Sequence, residues 1–249
     1  MIKHQKKILL LILGILIISS CASKKDLIYF NDVNLNEQDK TNFSECKIQA
    51  NDILSIIVSS SSADLASMYN SNQPTSSAIN GYLVTMDHTV TLPVLGKIEV
   101  KDLTNIELEN FLVKKLIDGN HLINPIVTVR LTNAKFTILG EVKSPGTYTF
   151  NEQNISILQA LGYAGDLTIH GKRQNILIIR EEDHKRTYTT IDLTSKKWFD
   201  SPSYYIKPND VIYVNPNGSK VTSSGYVPSL GNLLAIVSIA ITTILLVTK

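Results

Sequence analysis

The sequence predicts an α+β chain of two small mixed units, closed by a membrane-spanning helix. Three observations carry this. Residues 46–216 hold many short β-type runs interrupted by only two helix-period segments. Those two segments fall one in each half, so each half reads as its own mixed unit. No charged residue lies between Lys220 and Lys249. The core of that stretch, Leu230–Val247, reaches roughly 27 Å as a helix, close to a hydrocarbon core.

The elements follow in order. Lys3, Lys6 and Lys7 precede an apolar run from Ile8 to Ile18. That run has the length of an export signal rather than of a span. Ser19 and Ser20 offer small side chains before Cys21, which is the lipobox pattern. Residues 1–20 are therefore expected to be a lipoprotein signal peptide and Cys21 the lipidated N-terminus. Several acyl chains there anchor stably, at roughly 0.8 kcal/mol per buried CH2. Ala22 after Cys21 favours the outer membrane. Residues 21–45 are polar and read as a tether, and the serine-rich stretch 59–78 as a long loop.

In the first unit, residues 46–132, Ile53–Val58 is a strand after the turn Ala50-Asn51-Asp52. Gly81–Val84 and Thr89–Pro93 are strands, and Gly96–Val100 follows the break at Pro93. Thr104 caps a helix running to about Ile117, with Glu107 completing a capping box. Ile106, Leu108, Phe111, Leu112 and Leu116 give it a broad apolar face. Ile126–Leu131 is the next strand.

In the second unit, residues 133–216, Phe136–Val142 is a strand. Pro145 and Gly146 predict a type II turn, and Thr147–Phe150 returns as a hairpin partner. Ser156 caps a helix to Gly162, ended by Ala164-Gly165. Ile176–Arg180, Thr187–Leu193 and Val211–Val214 are strands, giving a roll that resembles a β-grasp. The segment Ile48–Leu54 echoes Ile206–Ile212. Both set Asn-Asp, with Asp52 and Asp210, just before a buried strand, which suits Asn at positive φ and Asp capping nearby N–H groups. Residues 217–229 read as a linker and 230–247 as the transmembrane helix. On a helical wheel Asn232, Ala235, Ser238, Thr242 and Thr243 share one arc, a candidate pore-facing or helix-packing lane.

Composition excludes several classes. A net charge of +2 over 249 residues leaves no nucleic-acid footprint. Cys46 is the second of two cysteines, so a lipidated Cys21 leaves no intrachain disulfide. His88, His121, His170 and His184 are far apart, without metal-ligand spacing. No phosphate loop, Gly-x-Ser-x-Gly or HExxH occurs. The reading is a non-enzyme with no catalytic residue, no metal and no cofactor. Glu141 and Asp166 are the carboxylates an enzyme reading would need to test.

The run from Gly81 through Leu92-Pro93-Val94-Leu95-Gly96 to Leu103-Thr104 resembles the export domain of Wza-type polysaccharide export outer-membrane lipoproteins. Ile138-Leu139-Gly140-Glu141-Val142-Lys143-Ser144-Pro145-Gly146 resembles the opening of the SLBB domain of the same family. Ala164-Gly165-Asp166 and Asn209-Asp210-Val211-Ile212 match its later motifs. The sequence departs from the family's glycine at four places, Asn51, Asp102, Asp166 and Asn209. The resemblance implies a homo-oligomeric ring, an octamer, that exports capsular or exopolysaccharide. It also implies an inner-membrane copolymerase or tyrosine kinase as partner, a periplasmic body, and C-terminal helices lining a pore in the outer membrane. A periplasmic glycan-binding or scaffold lipoprotein without a pore is the alternative.

Overall fold

The structure, a computed structural model, describes residues 26–34, 45–70, 81–182, 185–224 and 230–247. The signal peptide and Cys21 lie outside the described residues.

The first unit starts with β1 (Ile53–Ser59), in which Leu54, Ile56 and Val58 alternate into the core. The serine-rich stretch expected as a loop instead holds a helix, α1 (Ala63–Asn70). Ala66 and Tyr69 are buried apolar groups hidden among the serines, and they pull that turn onto the unit. Asn70 then accepts from the Val58 N–H at 2.9 Å and donates to its carbonyl at 2.8 Å, standing in for a strand neighbour. Next come β2 (Tyr82–Leu83), β3 (Thr89–Leu92), β4 (Gly96–Glu99), α2 (Asn105–Asp118) and β5 (Ile126–Leu131). Strands β2, β1 and β5 form an antiparallel sheet in that order, and β3 pairs with β4 as a hairpin. Thr104 and Glu107 form the capping box of α2, with bonds of 3.2 and 2.8 Å. Leu108, Leu112 and Leu116 bury the helix against the unit's core. The buried stripe is narrower than the sequence suggested, because Ile106 and Phe111 are exposed.

The second unit contains β6 (Lys135–Gly140), β7 (Gly146–Thr149), β8 (Ile155–Ser156), α3 (Ile157–Tyr163), β9 (Ile176–Glu182), β10 (Lys185–Ile191), β11 (Tyr205–Ile206) and β12 (Val211–Val214). Its five-stranded sheet runs β10-β9-β12-β6-β7, with β12 and β6 parallel and the other neighbours antiparallel. A hairpin, a helix and a closing strand parallel to the first is a β-grasp arrangement. Phe136, Ile138, Ile157, Ile178 and Ile212 are fully buried in its core. The single tryptophan of the sequence, Trp198, is part of the same core.

Part of the expected tether is docked. Phe30 donates its N–H to the Leu193 carbonyl at 3.0 Å, and its ring lies 6.3 Å from Trp198. Tyr29 donates to Asp166 at 2.6 Å. Asn31 N–H bonds the Thr194 carbonyl and Asp32 accepts from the Ser195 hydroxyl and the Lys196 N–H, so aromatic and polar contacts together fasten the segment to the second unit.

After β12 come α4 (Gly218–Ser224) and α5 (Leu230–Val247). The structure supports the α+β class but not the finer expectation of a membrane-spanning helix. Among the described residues no helix is long and apolar enough to cross a membrane. Within α5, Gly231 and Asn232 interrupt the apolar start, and Leu233–Val247 rises only about 22 Å.

Candidate functional site

The two Asn-Asp turns share one geometry. Asn51 and Asn209 adopt φ of 70° and 69°. Asp52 accepts from the Gln49 N–H at 2.8 Å, and Asp210 from the Lys207 N–H at 2.8 Å. Each turn is then sewn to a neighbouring strand. Asn51 donates to the Val84 carbonyl and Asn209 to the Lys135 carbonyl. Asn occupies these positions because it tolerates left-handed backbone, and Asp follows because its carboxylate reaches back three residues.

The carboxylates differ in their surroundings. Asp210 receives a bidentate fork from Arg180, Nε at 2.9 Å and Nη2 at 2.7 Å. Burial raises its pKa, and the Arg180 guanidinium and the Lys207 N–H pull it back. Asp52 is also buried and, among the described residues, has no cationic partner. Burial pushes its pKa up to about 6, opposed by the single Gln49 bond. Sequence reasoning missed Arg180. The readable signal was its parity in β9, because Ile176, Ile178 and Arg180 share one face and an inward arginine needs a buried acid.

The remaining motif turns lie at element ends. Pro93 opens the tight β3–β4 connection, in which Val94 and Gly96 have φ of 63° and 72°. Gly140 has φ of 91°, and a Cβ there would meet the Val214 carbonyl oxygen at 2.1 Å, so the parallel β6–β12 contact admits only glycine. Gly165 follows α3 in a Schellman motif. Gly165 N–H bonds the Gly162 carbonyl, and Asp166 N–H bonds the Leu161 carbonyl. The expected type II turn at Pro145-Gly146 is not formed. Gly146 has no positive φ and opens β7 opposite Ile138, and the Ser144 carbonyl, which would close such a turn, accepts from the Tyr148 hydroxyl instead.

Glu141 accepts from the Thr168 hydroxyl at 2.8 Å and faces Lys220 at 3.8 Å. Asp166 holds Tyr29, whose own pKa is raised first by burial and then by that bond. Among the described residues neither carboxylate pairs with a second acid. Among the described residues no cluster of three or more His, Cys, Asp or Glu could hold a metal.

The lane expected on α5 is less polar than its residue types imply. Ser238, Thr242 and Thr243 donate their hydroxyls to the Ala235, Ser238 and Ile239 carbonyls at 2.7 to 2.8 Å. Ala235 lies on the same helix, and the side chain of Asn232 is outside the described residues. Leu234, Ile236, Val237, Ile239, Ile241 and Leu246 are all exposed. With its hydroxyls satisfied internally, α5 presents mainly hydrocarbon.

Comparison with known proteins fits both units. Residues 40–132 match the model of polysaccharide biosynthesis/export proteins, and residues 134–214 match that of the SLBB domain. The chain belongs to the polysaccharide export family. It is 25% identical over 195 residues to the EPS I polysaccharide export outer membrane protein EpsA of Ralstonia solanacearum. That match covers 73% of the chain and 51% of the relative, so the chain spans about half of the length of the curated relative it matches. Both matched families are export and binding proteins rather than enzymes.

Family membership gives the four departures from glycine a common cause. Asn51, Asp102, Asp166 and Asn209 have φ of 70°, 62°, 71° and 69°. Each is a left-handed position, and Asn and Asp are the L-residues that reach it at least cost. Three of these side chains also add a bond that glycine lacks, Asn51 donating to the Met86 sulfur at 3.7 Å. Asp102 pairs with Lys47 at 2.8 Å, and Asp166 holds Tyr29.

Proposed function

We propose that the chain is an outer-membrane lipoprotein whose copies close into a ring and export capsular or exopolysaccharide. The observation that carries this is α5, an uncharged helix with exposed apolar side chains and internally bonded hydroxyls, joined to two export-family units. A helix of that surface needs lipid or copies of itself around it. A single α5 is short for an average bilayer, but bacterial outer membranes are thinner than average. A bundle of identical helices also shields the Gly231-Asn232 end. Ala235, Ser238, Thr242 and Thr243 then serve as close-packing positions between helices or toward the lumen.

Both attachments leave from the second unit. Tyr29 and Phe30 dock there, and Cys21 lies no more than about 28 Å of extended chain from Tyr29. Lipidation at Cys21 and insertion of α5 would hold the second unit at the outer membrane. The first unit would then face inward, toward an inner-membrane copolymerase or tyrosine kinase. The relative's name, an outer membrane export protein, agrees with that location.

The test is complementation of a deletion strain. The full chain should restore surface polysaccharide, and a chain lacking residues 226–249 should not, while remaining folded by Trp198 fluorescence. Normal export by the truncated chain would sink the pore role of α5 and favour a glycan-binding lipoprotein without a pore.

A further inference from the structure

A cleft of about 330 Å³ opens where the two units meet. That size is within the range of ligand sites, and domain junctions are where such sites occur. Phe150 and Ile206, both buried, contribute apolar surface to it. Asn105 from the start of α2, Arg130 from β5, and Gln153 and Asn154 from the loop between β7 and β8 line it. None of these four side chains has a protein hydrogen-bond partner among the described residues. Asn105 and Asn154 are half-buried all the same. Their amide atoms keep access to solvent, so they are open to the polar groups of a ligand.

The cleft is also held in shape. Leu131 packs against both cores. Asn133, in the connection between the units, accepts from the Ile53 N–H at 2.8 Å and donates to the Asn51 carbonyl at 2.9 Å. A site preformed in this way loses little on ordering when it binds.

The chemistry of the lining selects the ligand. Three planar amides and one guanidinium supply many donors and several acceptors at fixed angles, a match for hydroxyl and acetamido groups. Arg130 shares the lining with Glu45 and Glu152, which leaves the cleft without a net positive charge to attract a polyanion. We propose that the cleft is a glycan-binding site that holds a short, uncharged stretch of the exported polysaccharide, an inference that rests on the export reading above. Binding at each site is weak. Repeated around a ring, it guides a chain without trapping it.

The test uses the full chain in detergent. The probe is a set of uncharged oligosaccharides, cut by mild acid from the surface polysaccharide of the same cells. The triple variant Asn105→Ala, Arg130→Ala, Asn154→Ala should bind them at least roughly tenfold more weakly than the wild type by calorimetry. Tyr188→Ala, an exposed change on β10, should bind normally. Cys46 lines the same cleft, so the probe should slow its alkylation by iodoacetamide in the wild type and not in the triple variant. Equal binding by the triple variant, or no binding by the wild type at millimolar probe, overturns the proposal. Loss of ring assembly in the triple variant also overturns it, because the cleft is then a contact between subunits. The export reading fails separately, if a strain lacking the protein still exports polysaccharide.

Discussion

The turns at Asn51-Asp52 and Asn209-Asp210 have the same backbone and the same reach-back bond, yet only one carries a counter-charge. Asp210 sits under the Arg180 fork, and Asp52 faces its burial with the Gln49 N–H alone. Turn geometry is therefore set locally, by Asn at positive φ and Asp at its heels. The electrostatics are set by whatever the far side of each unit brings. The second unit brings an arginine from β9. The first brings none among the described residues, and Asp52 becomes a titrating group near neutrality.

The comparison breaks most sharply at Arg180. Replacing it with Met leaves Asp210 buried and unpaired, and should cost about 3–5 kcal/mol in the second unit. Trp198 fluorescence during urea unfolding of the full chain reports that unit. A change within experimental error would mean that the fork contributes nothing that Lys207 and its turn do not supply.

The next effect is in Asp52 and depends on pH. Its pKa is raised by folding, so the folded state keeps a proton that the unfolded chain has released. Stability of the first unit should be greatest below about pH 4 and fall by up to about 3 kcal/mol as pH rises through about 6. Hydrogen exchange of β1 amides, compared across that range, should show the slope. Asp52→Asn should flatten it, and a slope unchanged in that variant would assign the titration elsewhere.

Smaller effects test whether the two turns are equivalent. Asn51→Ala and Asn209→Ala should each cost about 1–2 kcal/mol, since both force a β-carbon into left-handed backbone. Asn51→Gly and Asn209→Gly should lie within about 0.5 kcal/mol of the wild type. Unequal alanine costs, measured by the same two probes, would show that the turns share a shape but not an energy.

Much of this was legible in the sequence, and the limits have physical causes. Alternation placed the strands, and Thr104 with Glu107 marked the start of α2, because those signals act over a few residues. The Asn-Asp echo was visible for the same reason. The helix α1 was hidden because only Ala66 and Tyr69 tell it from a serine-rich loop. The turn at Pro145-Gly146 failed because Gly146 is drawn into the ladder with β6 and the Tyr148 hydroxyl takes the Ser144 carbonyl that would close it. Arg180 with Asp210 and Tyr29 with Asp166 are pairings across 30 and 137 positions that no local pattern contains. On α5 the residue types were legible, but not the rotamers that turn Ser238, Thr242 and Thr243 back onto the helix.

The ring is the claim on which the export role depends, and electron microscopy of the detergent-extracted full chain tests it most directly. Closed rings with the α5 copies gathered at one end, nearest the second unit, are the expected result. A population of single chains, each with its own α5 in a separate micelle, would contradict it.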